Sequence, residues 1–128
     1  MEQQKKVLLV GVDTGEEKDF ERSMEELKAL AEACGYEVAG IMTQRRPKAD
    51  KAFYIGSGKV QEAGLYAEEC GAQEIIFDNT LSPSQIRNLT RELDMPVTDR
   101  TNLILDIFAI RARTGEARLQ VEVAKLQY

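Results

Sequence analysis

The sequence predicts an α/β fold: a small, mostly parallel four-stranded sheet with helices on both faces, followed by the start of a helical linker. Three observations carry that expectation. Lys6–Asp13 (KVLLVGVD) is a continuous apolar run, as expected of a strand covered by helices on both sides. Short apolar strands then alternate with segments of helical periodicity, an order that favours parallel pairing through helical crossovers. Finally, Ala31-Glu32-Ala33-Cys34-Gly35 is echoed by Ala67-Glu68-Glu69-Cys70-Gly71, each with a glycine stop between a helix and the next strand.

After the first strand, Asp13-Thr14-Gly15 supplies a turn, and the spacing of Phe20, Met24, Leu27, Ala31 and Cys34 predicts one buried face of a helix over Glu16–Cys34. Tyr36–Thr43 reads as the second strand. Gln44–Lys51 is polar, basic and interrupted by Pro47, so it reads as an exposed loop. Phe53-Tyr54-Ile55 adds a short extended piece. Ser57 stands where an N-cap belongs, ahead of a helix from Gly58 to Cys70. Glu74–Asp78 is the third strand. Ser82 and Pro83 occupy the N-cap and first helical position of a third helix, with Ile86, Leu89 and Leu93 facing inward. Pro96 closes that helix, Val97-Thr98 forms a fourth strand, and Thr98-Asp99-Arg100-Thr101 leads into the last helical stretch. Thr114-Gly115 reads as a joint between two helices. Leu119, Val123 and Leu126 continue an apolar stripe with no stop signal after Tyr128, which suggests the front piece of a longer protein.

Composition narrows the function classes. The chain has no histidine, which excludes His-based triads, a His general base and His metal ligands. Its two cysteines, Cys34 and Cys70, make no metal framework and read as small packed residues. No apolar run is long enough for an export signal or a membrane span, so a cytoplasmic location is expected. The net charge is −5 but unevenly spread: the stretch from residue 82 onward is slightly basic, and all its cations except Lys125 are arginines.

Three groups could carry chemistry. Gly56-Ser57-Gly58-Lys59 places glycines and a lysine at a helix start, a phosphate-binding arrangement or simply a tight turn into a helix. It is not a P-loop, because Val60 follows Lys59 and Ala52 stands where the first glycine is required. Asp13 and Asp78 end the first and third strands, either as turn-forming residues or as carboxylates near enough to share Mg²⁺. Arg87, Arg91, Arg100, Arg111, Arg113 and Arg118 could contact RNA phosphates, or could be surface residues paired with neighbouring acids. None of these groups supplies a catalytic residue or a metal site.

Four longer stretches are more specific in combination. They are Thr43-Gln44-Arg45-Arg46 with Tyr54-Ile55-Gly56-Ser57-Gly58-Lys59-Val60, Phe77-Asp78-Asn79-Thr80-Leu81-Ser82-Pro83-Ser84-Gln85, Asp99-Arg100-Thr101-Asn102 through Phe108, and Arg111-Ala112-Arg113-Thr114 through Leu119-Gln120-Val121-Glu122. In order and spacing they resemble the N-terminal domain of the HflX family of ribosome-associated GTPases. The resemblance implies an α/β domain over 1–113 and a helical linker beginning at 114–128, truncated before a GTPase domain that is not in this chain. It implies a protein that binds the large ribosomal subunit and its RNA under stress and hydrolyses GTP in the downstream domain. GTP and Mg²⁺ would be held there, with no cofactor expected in this chain. Its expected partners are ribosomal RNA and its own GTPase domain, and the stripe in 116–128 could make the fragment self-associate.

Overall fold

The computed structural model describes residues 4–15 and 19–115. Its elements are β1 (Lys6–Asp13), α1 (Phe20–Ala33), β2 (Glu37–Arg45), α2 (Ser57–Cys70), β3 (Glu74–Phe77), α3 (Pro83–Leu93), β4 (Val97–Asp99) and α4 (Arg100–Gly115). All four strands run parallel in one sheet of order β2-β1-β3-β4. The expected α/β architecture is the one observed.

Strand periodicity assigns each side chain to a layer. Leu8, Val10 and Val12 of β1, Ile75 and Phe77 of β3, and Val97 of β4 meet Val60, Ala63 and Ala67 of α2 and Leu89 of α3. On the opposite face, Val7, Leu9 and Ile76 pack on Met24, Leu27 and Ala31 of α1 and Leu103 of α4. Two covered faces explain why the interiors of β1 and β3 are continuously apolar. Gly11 falls on the α1 face, where a Cβ would run into Met24 Sδ and lie 2.9 Å from Phe20 Cζ, so its lack of a side chain lets α1 lie close to the sheet.

Several boundaries differ from the expected ones, each for a local reason. α1 starts at Phe20 because Asp19 is its N-cap, the carboxylate accepting from the Arg22 amide at 3.0 Å. β2 runs on through Gln44 and Arg45, which the composition placed in a loop, because β1 continues opposite them as far as Asp13. Ser57 is not a cap: Gly56, in extended conformation, is the N-cap of α2, and no side chain caps that helix. Ser82 does cap α3, with Gln85 completing a reciprocal capping box. Asp94 ends α3 in the left-handed region at φ 54°, a conformation that aspartate tolerates. α4 follows β4 without a loop and is helical through Thr114 and Gly115. The stripe of Leu119, Val123 and Leu126 lies outside the described residues. Among the described residues, no helix is long and apolar enough to cross a membrane.

Candidate functional site

The chain leaves β1 for β2 on one side of the sheet and β3 for β4 on the other, so the β1–β3 boundary is a topological switch point. In open parallel sheets the crevice beyond the strand ends at that point is the usual ligand site. A cleft of about 620 Å³ opens there. Arg22, Ser23 and Glu26 of α1 line one wall, Asp78, Asn79 and Thr80 line the end of β3, and Arg100 enters from the start of α4.

Asp78 has the same strand parity as Ile76 and therefore turns towards α1 and α4. It is buried. Its Oδ2 accepts from Ser23 Oγ at 2.7 Å and its Oδ1 from Arg100 Nη1 at 2.9 Å. The same Nη1 reaches Ser23 Oγ at 2.9 Å, and Nη2 reaches Glu26 Oε1 at 2.8 Å. Burial works against the Arg100 charge, but hydrogen bonds and attraction from Glu26 and Asp78 outweigh it and raise the guanidinium pKa. Thr80 Oγ1 and Thr101 Oγ1 lie 3.0 Å apart, a second link from the β3 end to α4. Asn79 closes the cleft floor: its Oδ1 accepts from Val12 N at 2.9 Å and its Nδ2 donates to Val12 O at 3.0 Å.

These contacts bear on the two aspartates. Asp13 forms the expected turn, its Oδ1 accepting from Gly15 N at 3.0 Å, and Arg45 lies 3.7 Å from its other oxygen. Asp78 instead locks α1, β3 and α4 together. Among the described residues, no group of three or more acids or cysteines is arranged to hold a metal ion.

A second locus lies around Gly56–Lys59. Gln44 Oε1 accepts from Gly56 N at 3.0 Å, and the Arg46 guanidinium fills the space where a Gly56 Cβ would project. Lys59 Nζ pairs with Glu62 Oε2 at 3.1 Å, and Val60 is buried in the core. A GTP–Mg²⁺ cradle needs a hydroxyl where that core valine stands, so these residues do not fit the group. Preceding the glycines, Asp50 and Tyr54 exchange two backbone hydrogen bonds of 3.0 Å, and Tyr54 sits at φ 68° on the rim of the cleft. A bulky residue in the left-handed region is held there by its surroundings. Gln85 Nε2 supplies part of that restraint, donating to Asp50 O at 3.0 Å and Lys51 O at 3.2 Å, and Asn88 Nδ2 donates to Ala52 O at 3.1 Å.

The arginines are divided between the two faces of the sheet. Arg87 and Arg91 are exposed on α3, and Arg91 Nη2 donates to Asn88 Oδ1 at 3.2 Å. Arg100 is drawn into the cleft, and Arg111 is exposed on α4 at the other face. The Arg113 side chain and Arg118 lie outside the described residues. Ser23, Glu26 and Asn88 carried no signal in the sequence, and Asn79 and Gln85 stood out there only as part of the Phe77–Gln85 stretch, without a role. Asp78 offered one usable signal: its parity with Ile76 already aimed a carboxylate at a helix layer, where it requires a buried partner.

A family model described as GTP-binding GTPase N-terminal matches residues 21–109. The chain is 47% identical over 123 residues to a GTPase HflX of Alkalihalophilus pseudofirmus, covering 95% of this chain and 29% of that protein. It is 40% identical over 121 residues to GTPase HflX of Escherichia coli, covering 94% of this chain and 28% of the relative. It thus spans less than a third of the length of these relatives. A GTP-binding protein of the archaeon Sulfolobus solfataricus, solved in complex with GDP, superposes with a TM-score of 0.64 at 33% identity, over 96% of this chain and 36% of that one.

Proposed function

Because the chain belongs to the HflX family, as its N-terminal domain, we propose that it is a noncatalytic module that helps an HflX-like GTP-binding protein dock on the large ribosomal subunit. GTP hydrolysis then resides in a downstream domain. The observation that carries this reading is the family match itself, over a chain whose only glycine–lysine turn is not a P-loop. Exposed arginines on α3 and α4 give the module cations for RNA phosphates. The test compares the full-length gene product with a version lacking residues 1–115 in co-sedimentation with large subunits. Loss of binding supports the reading; equal binding by the shortened protein rejects it.

A second reading assigns phosphate or nucleotide binding to Gly56, Ser57, Gly58 and Lys59. It is favoured by one feature: α2 begins with no side-chain cap, beside the guanidinium of Arg46. Calorimetric titration with GTP, ATP and inorganic phosphate decides it. No heat, and no change on Lys59→Ala, removes it.

A further inference from the structure

We infer that the RNA-facing surface of this domain is a composite of the 44–52 segment and α3, with Lys48, Lys51, Arg87 and Arg91 as its phosphate contacts. The inference rests on the docking function proposed above and names the surface that performs it. In sequence, the basic segment and α3 are more than thirty residues apart. In the fold they are stitched together by Gln85, which binds the carbonyls of Asp50 and Lys51, and by Asn88, which binds that of Ala52. Asn88 also holds Arg91, so that guanidinium lies beside the loop.

The acid within the loop is turned inward. Asp50 Oδ2 accepts from the amides of Ala52 and Phe53, both at 2.9 Å. Arg46 is used internally too, its Nε donating to Lys48 O at 3.1 Å. That leaves Lys48, Lys51, Arg87 and Arg91 exposed, and none of the ion pairs formed among the described residues involves them. Residues 44–52 and 83–93 together carry six basic residues against two acidic ones, on a chain whose net charge is −5. The cationic concentration is therefore local and opposite in sign to the whole molecule.

An RNA backbone fits this surface better than an acidic protein does. Protein interfaces centre on buried apolar and aromatic anchors and are depleted in lysine. The exposed large hydrophobic residues Ile41, Leu65, Leu105 and Phe108 lie on β2, α2 and α4, and none is in the loop or on α3. What the surface offers is exposed cations without an apolar centre, which suits a polyanion read through its phosphates.

The test uses the full-length gene product and two variants. One carries Lys48→Glu, Lys51→Glu, Arg87→Glu and Arg91→Glu; the other carries Gln at the same four positions. Binding to large ribosomal subunits and to protein-free large-subunit RNA is measured across a salt series, with circular dichroism confirming the fold. Both variants should bind at least about tenfold more weakly at low salt, and losing four phosphate contacts should make the log–log salt slope shallower by roughly three. Wild-type binding with unchanged affinity and slope in both variants overturns the surface assignment and leaves the docking function intact. Failure of the wild-type protein to bind subunits removes both. Loss of subunit binding with unchanged binding to free RNA would make the partner an acidic ribosomal protein and overturn the RNA assignment.

Discussion

Arg100→Met tests whether the cleft is held by its ion network. The substitution keeps much of the side-chain length but removes the charge that faces Asp78 and Glu26. Glu26 is half exposed, so losing that pair costs at most about 1 kcal/mol. Asp78 differs, because its side chain is 3% exposed and would be left buried without its cation. Breaking such a pair costs about 3–5 kcal/mol when nothing compensates. Ser23 Oγ still donates to Asp78, and the Arg100 side, 24% exposed, can admit water. The expected loss is therefore about 2–4 kcal/mol, a shift of roughly 1–2 M in urea midpoint for a slope near 2 kcal/mol per M. Asp78→Asn removes the buried charge and retains an acceptor for Ser23. In the double variant the orphaned carboxylate no longer exists, so its cost should fall short of the sum of the singles by about 1–3 kcal/mol. A loss under roughly 0.5 kcal/mol for Arg100→Met, or an additive cycle, would refute the argument that Asp78 depends on this guanidinium.

Three other substitutions probe the same framework. Asn79→Ala removes both hydrogen bonds to Val12 and should cost about 1–3 kcal/mol, with faster hydrogen exchange at the Val12 amide as the local readout. Gly11→Ala places a methyl against Met24 and Phe20 and should cost about 1–3 kcal/mol in urea unfolding, with Met24→Ala recovering part of the loss. The Cys34 thiol pKa is raised by burial first and then by the carboxylates of Asp106 and Glu74. Iodoacetamide should therefore alkylate it more slowly than a free thiol near about pH 8, and Asp106→Asn should speed the reaction. Because that pKa is higher folded than unfolded, its contribution to stability is present below the unfolded value and is lost as pH rises through the folded one. Cys34→Ala should flatten this alkaline decline in a melting-temperature series.

The layer structure was legible in the sequence because burial on two faces leaves a strong periodic mark. Lys6–Asp13 was placed correctly as a strand, and Ile86, Leu89 and Leu93 were placed on the packed side of α3. Boundaries were legible only where one residue's chemistry decides them, as Ser82 and Pro83 do for α3. They were missed where a spatial neighbour decides. Arg45 belongs to a strand because Asp13 lies opposite it. The cleft was less legible, since Asp78 finds Ser23 55 positions before it and Arg100 22 positions after it. Proximity along the chain grouped Arg100 with Arg87 and Arg91; the fold separates them and puts Lys48 and Lys51 beside α3 instead.

Several polar groups of the stretches that carried the family resemblance hold one another or the neighbouring backbone. Gln44 holds Gly56 within the first, and Gln85 of the second holds the loop that joins the two halves of the first. Asp78 holds Arg100, Asn79 holds Val12, and Asp99 accepts from Leu81 N at 2.7 Å while also taking the Asn102 amide at 2.9 Å. Buried polar groups need partners, so residues that satisfy each other across long sequence separations must change together or not at all. A strong motif of this kind identifies the fold of the domain without identifying its contact surface. Partner contacts must come from side chains the interlocking leaves outward and uncompensated, and the loop–α3 surface supplies four of them as cations.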